Sequence, residues 1–165
     1  MISGPSSWPI RCLPMPSVGF AAAGCAGAAG AAGGGQDFAG LLGTAAAHRV
    51  GVIVIRPLAA GALLGATERH ANAGDPGAPL AGGPGYAHDL ARARSLAPLV
   101  RELGLENPLE LSLRFVQAHH GVSTVLVGYS DPTQLDDALR WTARGPLPAD
   151  VVEQIVALAR SEAAP

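Results

Sequence analysis

From Gln36 onward the apolar positions fall into runs whose period changes along the chain. Phe38, Leu41, Leu42 and Ala45 stand at i, i+3, i+4 and i+7, which predicts an amphipathic helix reaching about His48. Val50 to Arg56 is a β-branched run closed by Pro57, the pattern of a strand buried on both faces. Residues 57–86 carry no period and are rich in Gly, Pro and Ala; a loop this long inside a compact domain is functional or disordered. A second helix is expected from about Ala87 to Leu103, with Leu96, Leu99, Val100 and Leu103 on one face and Gly104 as its stop. Asn107-Pro108 opens a third. Leu109, Leu111, Leu113 and Phe115 also alternate as a strand would, but the Pro start, the Gly121 stop and the length favour a helix.

Val122 to Val127 reads as a second strand, and Asp131-Pro132-Thr133-Gln134 as a helix start with Asp as cap. A last helix covers about Pro148 to Arg160, with Val152, Ile155, Val156 and Ala159 facing inward. The expected order is α-β-α-α-β-α-α. Strands alternating with helices imply parallel pairing through crossovers. Two strands cannot close a barrel or build a covered sheet, so the expected α/β architecture is a partial one. Residues 1–35 differ. Pro5, Pro9, Pro14 and Pro16 crowd their first half, an Ala/Gly tract from Ala21 to Gly35 follows, and neither shows a period. They read as a low-complexity, disordered lead ahead of a domain at 36–165, or as a non-native start to the reading frame.

Composition narrows the function classes. The apolar fraction of 48% overstates the core, because alanine supplies much of it and Phe, Trp and Tyr together only 4%. A formal charge of −2 leaves no electrostatic footprint for nucleic acid or an anionic membrane. Cys12 and Cys25 lack ligand spacing, so neither a metal site nor a disulfide framework is expected, and a reducing cytoplasm suits them. Ala22-Ala23-Gly24-Cys25 resembles a lipoprotein cleavage box, but Pro14 and Pro16 interrupt the apolar segment such a signal needs. No apolar run is long enough for a transmembrane helix.

Two segments carry candidate chemistry. Arg56-Pro57-Leu58-Ala59-Ala60-Gly61 follows the first strand, and Gly128-Tyr129-Ser130-Asp131 follows the second and opens a helix. In parallel α/β folds ligands bind at the carboxyl ends of strands, and free N–H groups at a helix start suit a phosphate.

The stretches GVIVIRPLAAGALLG, ELSLRFV, VSTVLVGYSDPTQLDDAL and GPLPADVVEQI, in this order over about residues 36–160, resemble the carboxyl portion of the aldo/keto reductases. That family is a (β/α)8 barrel that reduces carbonyls with NAD(P)H. The resemblance implies a partial TIM barrel, about the last two β/α units plus a carboxyl-terminal helix. It implies that Pro57, Leu58, Ala59 and Gly61 lie along the cofactor's pyrophosphate. Gly128, Tyr129 and Ser130 would line the adenosine phosphate, and Gln134 and Asp137 would approach the adenine. Arg56 stands where the family usually has Ser. Asp131 stands near where it often has Arg or Lys for the NADP 2′-phosphate, which leaves NADP and NAD both open.

The family's tetrad of Asp, Tyr, Lys and His belongs to the first half of the barrel. None of its motifs is present, and the sequence contains no lysine at all. A cation beside a proton-donating tyrosine favours its phenolate, and no lysine of this chain can supply one. The expectation is a cofactor-holding fragment from a truncated, split or misannotated gene, inactive alone, with a carbonyl substrate only in a full-length context. The alternative is a non-catalytic half-barrel that binds or docks a complementary half. Tyr86 reads as a packing anchor, Trp141 as packing the penultimate helix, and Glu102, Glu106 and Glu110 as a solvated face. His48, His70 and His88 have no ligand spacing, and His119-His120 reads as solvated imidazoles at a helix end.

Overall fold

The computed structural model describes residues 12–13, 41–65, 68–75 and 86–163. Three short strands, β1 (Cys12–Leu13), β2 (Ile53–Ile55) and β3 (Thr124–Leu126), form a parallel sheet with β2 in the middle. The register pairs Ile53 with Cys12 and Thr124, Val54 with Leu13 and Val125, and Ile55 with Leu126. β2 is the central strand because it is the most apolar: Val52 and Val54 are inaccessible to solvent. β3 lies at an edge, with Thr124 and Leu126 exposed. Both expected strands are present, each shorter than its apolar run, and a third comes from the lead, within the Pro-rich stretch that shows no period.

Six α-helices flank the sheet among the described residues: α1 (Leu41–Ala47), α2 (Tyr86–Ser95), α3 (Ala97–Glu102), α4 (Pro108–Gln117), α5 (Pro132–Thr142) and α6 (Ala149–Ala163). The helix expected over 87–103 is two. Pro98 has no N–H to give the Arg94 carbonyl, so the chain breaks at Leu96 and restarts as α3. Gly104, at φ +64°, ends this unit as expected. Within the long loop after β2, Ala59–Leu64 forms a 3-10 segment that its composition concealed. Phe38 lies outside the described residues, while Leu42 and Ala45 do pack inward.

α4 is the hub. Asn107 caps it, its side-chain oxygen accepting from the N–H groups of Leu109 at 2.9 Å and Glu110 at 3.1 Å. Its alternating apolar pattern follows from burial around most of its circumference. Leu111 and Phe115 join Leu99, Leu147, Val151 and Ile155 in the largest core cluster; Leu113 meets Trp141 and Ala138; Val116 meets Val54. In α6 Val151, Ile155 and Val156 are buried and Val152 is half-buried, while Ala159's side chain is outside the description. No helix among the described residues is long and apolar enough to cross a membrane.

Gly121 serves a purpose other than stopping a helix. α4 already ends at Gln117, and a Cβ built on Gly121 would stand 2.8 Å from the Leu42 carbonyl oxygen and 3.0 Å from Leu42 Cβ. The turn into β3 therefore rests directly on α1. Gly121→Ala should destabilise the protein by about 1–3 kcal/mol, because backbone must move to admit a methyl group. Urea unfolding measures this, and an unchanged midpoint would show that α1 does not rest on the turn.

Candidate functional site

Parallel pairing ends β2 and β3 side by side, so the chain leaves both strands toward the same region. A cavity of about 610 Å³ opens there. Leu58 and Gly61 from the first exit and Gly128, Tyr129, Ser130, Gln134 and Asp137 from the second all line it. Two sequence-expected residues stand behind the wall: Pro57 is buried, its carbonyl accepting from Ser112 Oγ at 2.6 Å, and Ala59 is buried against Ala62, Leu63 and Ala93. Trp141 also lines the cavity, and its cluster with Leu113 and Ala138 takes Leu58 from the first exit and Val127 from the second against it.

The first exit turns sharply. Arg56, Ala59, Ala60 and Gly61 all have positive φ, at 54°, 50°, 56° and 91°. Only the glycine adopts such a conformation at no steric cost; each of the others costs on the order of 1–3 kcal/mol, which surrounding packing must offset. Ala59 N–H donates to the Arg56 carbonyl and Gly61 N–H to the Leu58 carbonyl, closing two successive tight turns. Arg69 holds the turns from outside. Its guanidinium donates to the Ala60 carbonyl at 3.1 Å and to the Gly74 carbonyl, and stands 5.4 Å from the centre of the Tyr86 ring. Tyr86 is accordingly a packing partner of Leu63 and Ala93.

The second exit is largely satisfied by its own side chains. Asp131 caps α5, accepting from Thr133 N–H at 2.8 Å and Thr133 Oγ1 at 2.6 Å; these bonds, the hydroxyl's first, hold its carboxyl below the ordinary range. Gln134 Oε1 accepts from Ser130 N–H at 2.8 Å. The Asn72 side chain donates to the Ser130 carbonyl at 3.3 Å, laying the loop at residues 68–75 across the cavity mouth. His70 also lines the cavity, its Nδ1 accepting from Asn72 N–H at 3.1 Å. Arg69, His70 and Asn72 escape a sequence reading because the loop that carries them has no period.

An ion network anchors α5 below this site. Glu110, read from sequence as solvated, is inaccessible to solvent: α4 is buried on the side where it points. It accepts from Glu106 N–H at 2.9 Å, Arg144 at 2.8 Å and Arg114 at 3.1 Å. Burial pushes its carboxyl up, but the Glu106 N–H and the two guanidinium groups outweigh this and leave it lowered. Glu106 binds Arg140, Arg144 and the Trp141 indole, and the Arg140 and Trp141 bonds foremost bring its carboxyl down to about 2. Arg140 also holds Asp137 at 2.5 Å.

Both glutamates have lower pKa values folded than unfolded. Their contribution to stability is therefore complete above the ordinary value of 4.5 and is lost as pH falls below it, that of Glu106 fading toward about 2. The thermal midpoint should drop across that interval. Glu110→Gln should cost about 1.5–3 kcal/mol at neutral pH and flatten the acid limb. Thermal unfolding followed against pH tests this, and an identical acid limb in the variant would rule out the network as its source.

Neither the curated proteins nor the solved structures contain a match to this sequence. The model of the aldo/keto reductase family matches residues 36–160, a span that includes both strand exits, the cavity walls and the ion network. This is a family of oxidoreductases that generally use NAD(P)H. The chain belongs to the aldo/keto reductase family.

Proposed function

We propose that the cavity between the exits of β2 and β3 holds NADP or NAD, in a partial (β/α)8 barrel formed by about its last two β/α units and carboxyl-terminal helix. The observation that carries this reading is the convergence of two loops 67 residues apart, Gly61 and Gly128, on one cleft of nucleotide size. Its walls suit the group. Arg56 and Arg69 bring positive charge to the side where a pyrophosphate would run, along Leu58 and Gly61 and backed by Pro57 and Ala59. Tyr129 offers a largely exposed ring to a base, with Gln134 and Asp137 beside it. When bound, the nicotinamide would supply the hydride for carbonyl reduction.

What the chain itself contributes is binding and orientation. It contains no lysine, so the ammonium that would lower the cost of proton transfer from a tyrosine comes from elsewhere. The reading accordingly includes a complementary half-barrel chain, with the carbonyl substrate bound in the completed barrel, in the cytoplasm. Support comes from the edge strand β3: Leu126 and Leu139 are 53% and 60% exposed, beside a groove of about 590 Å³ walled by Val125, Val127 and Leu135.

Gly128 separates binding from folding. It lines the cavity, and a Cβ there would meet nothing within 4 Å. Gly128→Leu should change stability by no more than about 0.5 kcal/mol. Affinity for NADPH, read by quenching of tryptophan fluorescence, should fall about tenfold. Equal affinity in parent and variant would place the nucleotide elsewhere. For the edge strand, Leu126→Arg should abolish concentration-dependent association in sedimentation velocity runs with a barrel fragment that carries the tyrosine and lysine. Undiminished association would show that β3 is not the joint.

A further inference from the structure

We infer that β1 is a placeholder strand. In the free chain it occupies the edge of β2 where a parallel strand of the complementary half-barrel belongs, and it gives that edge up when the half docks. The inference rests on the half-barrel reading and adds to it a second joint, one that the chain itself covers until the partner arrives.

A closed barrel gives every strand a parallel neighbour on both sides. β2 takes one of them, β3, from within the residues that match the family. Its other neighbour is β1, whose residues 12–13 lie outside the matched span of 36–160. β1 nevertheless runs parallel to β2, in the direction a barrel strand on that side would take. The position is right and the fit is poor. β3 pairs with all three residues of β2, whereas β1 pairs with Ile53 and Val54 and leaves Ile55 without a described partner on that edge. Pro14 follows at once and has no N–H with which to extend the ladder. Ile53 and Ile55 stay half-buried while Val52 and Val54 are covered. The unbroken apolar run from Val52 to Ile55 suits a strand with full neighbours on both sides; Arg11 to Pro16 has no such run.

A weak strand at that edge still has a use. An uncovered apolar edge is a template for pairing with any other chain, and short strands bounded by proline are a way of blunting it. Strand addition draws its affinity from main-chain hydrogen bonds, so a longer parallel strand displaces a two-residue one.

The test uses the full chain and a fragment comprising the first six β/α units of an aldo/keto reductase barrel, with association followed by sedimentation velocity. Amide exchange at Cys12 and Leu13 should become about tenfold faster or more when the fragment binds, while Ile53 to Ile55 keep their protection. The double variant Cys12→Pro, Leu13→Pro removes both strand N–H groups and should bind the fragment about tenfold tighter than the parent. Unchanged exchange at Cys12 and Leu13 in the bound chain, or equal affinity of parent and variant, would overturn the inference. Either result would make β1 a fixed strand and leave β3 as the joint. Absence of any association would overturn the half-barrel reading, and this inference with it.

Discussion

Three paired positions between β2 and β3 fix where everything else can go. Because Ile53, Val54 and Ile55 lie in parallel register with Thr124, Val125 and Leu126, Arg56 and Val127 leave the sheet at the same level. An antiparallel pairing would send the two exit loops to opposite ends of the strands. The parallel one requires a long crossover, here α2, α3 and α4, and that crossover supplies the burial which keeps the strands in register. Val54 packs on Val116 of α4, and Ser112 of the same helix bonds the Pro57 carbonyl. One helix thus holds both the strand and the start of the loop that follows it.

α4 also fixes the second wall. Its buried Glu110 draws in Arg144 from beyond the end of α5, while Glu106 just ahead of it takes Arg140 and the Trp141 indole from α5 itself. Removing Glu110's charge would leave Arg114 and Arg144 competing for fewer acceptors close to the core. Bonds from Glu106 N–H, Arg144 and Arg114 offset the cost of burying that carboxylate, and with the end of α5 held by Arg140 and Arg144 its first two turns carry Gln134 and Asp137 to the cavity. Arg69 does the equivalent work at the first wall, where four positive φ values in six residues would not persist without Tyr86, Ala93 and Leu63 packed behind them.

Features that depend on local chemistry were legible in the sequence. The Asn107 and Asp131 caps, the face of Leu96, Leu99 and Val100, the Gly104 stop and the two β-branched strands all follow from residue type and spacing, and all are present. The seven cavity-lining residues at the strand exits follow from a family resemblance joined to the rule that ligands bind at carboxyl ends of parallel strands. What long-range packing decides was not legible. The burial of Glu110 depends on Arg144, 34 residues away, and on a helix enclosed on most sides. The pairing of Cys12 with Ile53 depends on a partner rather than on any period of its own. The engagement of Ser130 N–H by Gln134 is a matter of rotamer, and it changes the meaning of the α5 start from an anion site to a self-satisfied cap.

The central claim is that the two strand exits form one ligand site. Amide hydrogen exchange with and without saturating NAD⁺ tests it most directly, because it reports each exit separately on the intact chain. The account predicts that the nucleotide slows exchange together at residues 56–61 and 128–134, with smaller changes along the edge of β3. Protection at one exit alone, or protection concentrated in the groove beside Val125 and Leu139, would contradict it.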